Sequence, residues 1–285
     1  MDTAPAPEYA STPAPTHAPA PDHACPPTPR RTRPAPGHVH VWLVRPPLAG
    51  PPAGGPAPRP SGLSAAELRR AASFAHPADR VAYTTAHTAL RHLLGGYLGR
   101  PPAALAFVRE PCPGCGGPHG RPAVVQADGP PPLHFSLTHT RSLLAVAVAP
   151  RVIGVDVERL PSAETVEACA RALHPGERAE LEAAPPGGRR AHFARLWTRK
   201  EAYLKALGTG LSRHPRIDYL GSDLRRRPAR WAVLDLPAGP GHAAAIAVPG
   251  DRPEHVTVRR LTAEPPYGDA GQATDPGSTI TRSSR

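Results

Sequence analysis

Forty-two of the 285 residues are proline, and a residue that fixes φ and lacks a backbone N–H cannot sit inside a helix or a central strand. Where prolines crowd, regular structure is excluded. Residues 1–36 hold 11 of them among Ala, Thr and His, with almost no aliphatic side chains, so 1–37 is predicted to be a disordered arm. From about Glu264 the chain is again Pro, Gly, Ser and Thr without apolar periodicity, and 263–285 is predicted to be a disordered tail. About 225 residues remain to fold, enough for one large domain or two small ones.

That stretch reads as short strands and helices in a definite order. A strand over His38–Arg45 alternates Val39, Val41 and Leu43. Helices follow over 64–99, with Ser64 as N-cap, Glu67 at the capping-box position, and Leu90, Leu93, Leu94 and Tyr97 at helical spacing. Strands at Leu133–Thr138 and Leu143–Ala149 are joined by His139-Thr140-Arg141-Ser142 as a hairpin turn, and a third strand, Val152–Glu158, starts almost at once. Helices over Ser162–Ala172, Pro175–Glu182 and Ala191–Leu207, the last closed by Gly208, precede strands at Arg230–Leu236, Ala243–Val248 and His255–Leu261. Helices beside small, mainly antiparallel sheets make the fold class α+β.

The formal charge of +11 belongs to the folding stretch. The first 36 residues balance three acids against three arginines and the last 23 set three acids against two arginines, leaving about +12 between them. A basic core points to an anionic partner: nucleic acid, phosphorylated small molecules or an acidic protein. Aromatic residues are only 5% and no basic helix carries interleaved aromatics, which speaks against a nucleic-acid binder. No segment approaches the roughly 18 consecutive apolar residues of a membrane span, and no basic segment followed by an apolar one opens the chain, so a cytoplasmic protein is expected.

Of four cysteines, Cys112 and Cys115 form a close pair with His119 four residues on. That is part of a zinc site at most, because Cys25 in the arm and Cys169 on a predicted helix are poor completers of a tetrahedral set. An ordinary Gly/Pro loop with reduced thiols is the favoured reading.

Lysine usage is the sharpest chemical signal. Only two of the 34 basic side chains are lysine, and both, Lys200 and Lys205, lie in Leu196-Trp197-Thr198-Arg199-Lys200-Glu201-Ala202-Tyr203-Leu204-Lys205. An ammonium is a compact point charge that can lose its proton, which a guanidinium does not do. Glu201 and Lys205 share a helix face at i, i+4, the spacing of a common surface ion pair. Asp156 and Glu158 project from one strand face, where two carboxylates repel unless solvent or a cation relieves them. His139 follows Thr138 at a strand end.

In order along the chain, Phe135-Ser136-Leu137-Thr138-His139, Gly154-Val155-Asp156-Val157-Glu158 and Trp197-Thr198-Arg199-Lys200-Glu201-Ala202-Tyr203-Leu204-Lys205 resemble the Sfp-type 4′-phosphopantetheinyl transferases. Thr140 stands where that family has Ser. Upstream, 74–91 with Asp79, Arg80 and His87, and Gly120-Arg121-Pro122, are similar to the family as well, so the likeness spans most of 38–262.

The resemblance implies transfer of the 4′-phosphopantetheine arm from coenzyme A to a serine of an apo acyl or peptidyl carrier protein, releasing adenosine 3′,5′-bisphosphate. It implies a monomeric pseudo-dimer of two similar α+β halves, 38–150 and 151–262, with the active site in the cleft between them. Asp156, Glu158 and Glu201 become ligands of Mg2+. Glu201 is the favoured base for the serine proton, with Lys205 as the other candidate and otherwise a phosphate contact. His139 and Thr138 are expected at the coenzyme's phosphates, and Arg80 and Arg121 at its 3′-phosphate, with Arg91 as the alternative to Arg80. An acidic carrier protein suits the basic enzyme, and residues between Leu207 and Leu220 are candidates for touching it. The high-arginine, high-proline composition hints at specialised metabolism. The rival readings are a non-catalytic basic nucleic-acid binder and an inactive carrier-protein docking module.

Overall fold

A computed structural model describes residues 29–46, 62–126, 132–262 and 278–281. A mixed sheet contains β1 (His38–Arg45), β4 (His134–His139), β5 (Leu144–Ala149), β9 (His255–Thr262) and β10 (Ser278–Thr281) in the order β10-β9-β1-β5-β4. A second, antiparallel sheet runs β6 (Gly154–Arg159), β8 (His242–Pro249), β7 (Trp231–Leu236). A small hairpin pairs β2 (Phe107–Arg109) with β3 (Pro122–Val124). The helices are α1 (Ala65–Ala72), α2 (Pro77–Leu98), α3 (Ala163–Ala170), α4 (Pro175–Ala183) and α5 (Arg189–Leu207). The fold is mixed α+β, as the order of elements predicts, and no described helix is long and apolar enough to cross a membrane.

Alternation sets the layers. Val39, Val41 and Leu43 of β1 join Val155 and Val157 of β6 and Ile246 and Val248 of β8 in one core between the two sheets. The opposite faces of β1 and β5, with Trp42, Val44, Leu144 and Val146, are covered by Leu90, Leu93, Leu94 and Tyr97 of α2. Ala202, Tyr203 and Ala206 of α5 cover Val233, Ala245 and Ala247 of the second sheet. Both strand faces are thus buried, so β5 reads as a continuous apolar run.

The edge strands β4 and β6 abut, and side chains bond across the seam. Ser136 Oγ accepts from Val155 N at 3.0 Å, inside the protein. Gly154 opens β6 where α5 crosses it, and a Cβ there would lie 1.9 Å from Ala202 O. Only glycine allows that approach. The helix ends at Gly208, whose φ of 79° is the left-handed conformation of a helix C-cap.

Lys200 is almost fully buried. Its ammonium lies 2.8 Å from Glu177 Oε2 and donates to Pro215 O and Asp218 O. Glu177 also accepts from Leu220 N and His174 N. This lysine therefore ties α5 to α4 and to the chain after α5.

The boundaries differ from expectation in three places. β9, expected in the second half, pairs in parallel with β1, from His38 opposite His255 to Arg45 opposite Thr262. Residues 278–281, inside the expected disordered tail, form β10 against β9. Residues 29–37, inside the expected disordered arm, are held on α2: Arg31 N donates to Gly96 O at 3.0 Å and the Arg31 guanidinium stacks on Trp42. The remainder of both expected disordered segments lies outside the described residues.

Candidate active site

The site forms where β4, β6 and α5 converge. Asp156 is 2% exposed, and its Oδ1 accepts from Thr138 Oγ1 of β4 at 3.0 Å and lies 2.6 Å from Lys205 Nζ of α5. The Lys205 ammonium also donates to Val155 O at 3.3 Å. Asp156 Oδ2 is buried with no hydrogen-bond partner. Solvent therefore does not relieve the Asp156 carboxylate. The i, i+4 spacing of Glu201 and Lys205 does not decide their pairing either, because Lys205 reaches the buried Asp156 on the strand beneath it.

Glu158 and Glu201 stand beside this pair, each only partly exposed. Burial, then repulsion from Asp156 and Glu201, raises the Glu158 carboxyl to about 7 against the pull of Lys205. Burial, then Asp156, raises Glu201 as well. Three carboxylates with one ammonium leave an excess of negative charge in a partly desolvated place, which a hard divalent cation would neutralise. The unpartnered Asp156 Oδ2 is the second feature that fits such an ion, and both belong to oxygen donors of the type it prefers.

His139 ends β4 with one exposed face. Desolvation, followed by the electrostatic influence of the neighbouring His87 and Lys205, holds its pKa below the ordinary value and favours the neutral imidazole. His87 sits behind it on α2, stacked on Tyr83 and 3.2 Å from Glu67 Oε1.

A cleft of about 550 Å³ opens next to this group, lined by His87, Phe107, His119, Arg121, Leu137 and Lys205 among others. Arg121 lines this cleft. Its guanidinium is 2.6 Å from Glu110 and donates to Ala206 O and Leu207 O at the end of α5, an interaction that also suits the negative end of a helix. Arg80 does not join the site, since it is exposed and donates to Phe74 O at 3.4 Å. Arg91, its alternative, is buried and holds Glu67, Pro102 O and Leu105 O. It is a structural residue. Thr138, expected at the coenzyme's phosphates, commits its hydroxyl hydrogen to Asp156. His87 and His119 line the cleft without having been picked out as site residues; their proximity to Lys205 depends on packing between distant segments.

Residues 152–243 match the 4′-phosphopantetheinyl transferase superfamily. The chain is 34% identical over 195 residues to the 4′-phosphopantetheinyl transferase HetI of Nostoc sp., covering 66% of this chain and 79% of that protein. It is 30% identical over 209 residues to a 4′-phosphopantetheinyl transferase of Bacillus subtilis, covering 73% and 85%. A shorter match, 35% over 94 residues, joins it to the 4′-phosphopantetheinyl transferase AcpT of Salmonella typhi.

Proposed function

The chain belongs to the 4′-phosphopantetheinyl transferase superfamily and is an enzyme of that kind, and from that premise we propose a Mg2+-dependent transfer of 4′-phosphopantetheine from coenzyme A to a serine of an apo carrier protein. The observation that carries this reading is the buried Asp156, joined to Thr138 and Lys205 from two other elements and flanked by Glu158 and Glu201. A surface ion pair has no need of such convergence.

The serine oxygen forms a bond to the β-phosphorus of the coenzyme while the bond from that phosphorus to the bridging oxygen breaks, and adenosine 3′,5′-bisphosphate leaves. Glu201 takes the serine proton. Its raised pKa makes it a better proton acceptor than an ordinary carboxylate. Asp156, Glu158 and Glu201 would hold Mg2+, which when bound supplies charge stabilisation for the diphosphate and the leaving oxygen. Lys205, anchored on Asp156 and lining the cleft, presents its ammonium to a phosphate oxygen. Neutral His139 donates one ring N–H to the same group. Arg121 stands on the cleft wall, and its guanidinium would meet the 3′-phosphate by exchanging Glu110 for it.

The two sheets support a pseudo-dimer. In β1-β5-β4 and β6-β8-β7 alike, the first strand of the unit neighbours the last, and the middle one lies outside. Each unit carries one long helix, α2 or α5, between its first and second strands. We place the halves at 38–150 and 151–262, with β9 crossing back to the first sheet, and the active site in the cleft between them. One chain supplies both halves, which suits a monomer. The carrier protein would meet the basic surface near Leu207–Leu220, where Ile217 is 55% exposed.

The test is to incubate the protein with coenzyme A, Mg2+ and a panel of apo carrier domains, and weigh the carriers. A mass gain of one phosphopantetheine arm, lost in Asp156→Asn, is the expected result. No gain on any carrier, with the protein folded, would overturn the reading.

A further inference from the structure

The loop between β2 and β3 carries a second cluster, which the transfer chemistry leaves unused. Cys112, Cys115 and His119 each present a ligand atom, and all three atoms lie within 4.8 Å of one another. Cys115 Sγ and His119 Nε2 are 3.0 Å apart. In a tetrahedral zinc site the bonds are about 2.3 Å to sulfur and about 2.0–2.1 Å to nitrogen, so neighbouring ligand atoms stand roughly 3.3–3.8 Å apart. Small side-chain rotations close the difference.

The loop is shaped around the sulfurs rather than merely containing them. Backbone N–H groups of Gly114 and Cys115 donate to the Cys112 sulfur. Cys112 N donates to Gly117 O and Gly116 N to Cys112 O, both at 2.8 Å, and Gly116 turns the chain at φ 72°. Gly120 closes the neck: its N donates to Glu110 O, and a Cβ there would meet that oxygen at 2.4 Å. Cys112 is 1% exposed, whereas Cys115 and His119 face solvent. Two sulfurs and an imidazole select a borderline-soft metal over Mg2+.

We propose that Cys112, Cys115 and His119 bind one zinc ion, with solvent as fourth ligand, and that the ion fixes this loop against the end of α5. Cys112 Sγ is 3.8 Å from Ser212 Oγ, and a Cβ at Gly114 would lie 3.4 Å from that oxygen and 3.9 Å from Thr209 Cγ2, just past Gly208. Two residues beyond His119, Arg121 reaches the last carbonyls of α5. The ion thus holds the wall of the cleft that His119, Gly120 and Arg121 form. This assignment does not depend on the transferase reading, because its readout is metal content.

The full chain is grown with zinc, purified without chelator, and its metal weighed by mass spectrometry; a second sample is loaded with Co2+. About one zinc per chain and a thiolate-to-cobalt charge-transfer band are expected. The band separates this cluster from His38, Glu254 and His255, the other such group among the described residues, which has no sulfur. Cys115→Ser and His119→Ala should each weaken the metal by more than about tenfold, with circular dichroism unchanged because both side chains are exposed. Cys169→Ser should keep it. Folded wild-type protein that binds neither metal, or undiminished binding in Cys115→Ser, overturns the proposal.

Discussion

Asp156 and Lys205 are 49 residues apart in the chain and meet at 2.6 Å, β6 to α5. The contact fixes which oxygen of Asp156 remains available: Oδ1 is taken by Lys205 and Thr138, and Oδ2 is buried without a partner. The same aspartate pushes up the pKa of Glu158 and of Glu201. One carboxylate therefore organises both the cationic and the anionic side of the site, and four predictions follow from the elements that hold it.

The first concerns pH and metal. Glu158 titrates near 7 in the folded protein against an ordinary value of 4.5. The folded state then binds more protons than the unfolded state across that window, so stability falls as pH rises from about 4.5 to about 7. In chelator, the melting temperature should decline over this range, and Glu158→Gln should flatten the decline. Mg2+ at about one hundred times its dissociation constant should add about 2.7 kcal/mol at pH 7.5. Identical melting curves with and without Mg2+ would contradict the assignment of the three carboxylates.

How much of this was legible in the sequence depended on the range of each interaction. β1, the β4–β5 hairpin, the Ser64–Glu67 capping box and the Gly208 end of α5 follow from local alternation and capping, and all are present. The return of β9 to lie beside β1 is a pairing between residues more than 200 apart, and nothing in either strand's own pattern names its partner. The site divides in the same way. Asp156 and Glu158 share a strand face by periodicity alone. That Lys205 would choose Asp156 over Glu201 depends on α5 crossing β6 at Gly154, that Thr138 would orient Asp156 depends on the β4–β6 seam, and that Lys200 would be buried on Glu177 depends on α5 meeting α4, all of which only packing shows.

Lys205→Arg is the second prediction. The ammonium fits between Asp156 Oδ1 and Val155 O, and a longer planar fork cannot occupy that point without displacing one of them. Misplacing a phosphate contact by about 1 Å costs about 100-fold in rate. The variant should retain its melting temperature and lose activity on that scale in a carrier-labelling assay. Full activity would reduce Lys205 to a counter-ion.

Gly154→Ala tests the crossing itself. A methyl group at 1.9 Å from Ala202 O and 2.6 Å from Ala206 N forces α5 outward, and Ala202 lies next to Glu201. Overpacking of this kind costs about 1–3 kcal/mol or more, and it should lower activity together with stability. Gly187→Ala, where nothing lies within 4 Å, is the control and should be silent. A stable, active Gly154→Ala would mean that the close approach is not needed.

The last prediction separates the two lysines. Lys200→Met leaves the fully buried Glu177 carboxylate without its cation, while Pro215 O and Asp218 O lose a donor. Breaking a buried pair from one side costs about 3–5 kcal/mol. The remaining bonds from Leu220 N and His174 N to Glu177 place this case toward the lower figure. Adding Glu177→Gln removes the stranded charge yet keeps an acceptor oxygen, so the double variant should recover part of the loss, and denaturant midpoints of the four proteins give the coupling directly. Lys200→Arg should not rescue stability, because a guanidinium has no room in a site that is 2% exposed. Activity per folded molecule should change far less in Lys200→Met than in Lys205→Arg, since Lys200 faces α4 and the segment after α5, whereas Lys205 lines the cleft. Additive midpoints in the cycle, with no recovery in the double variant, would show that the ion pair does not hold α5 in place.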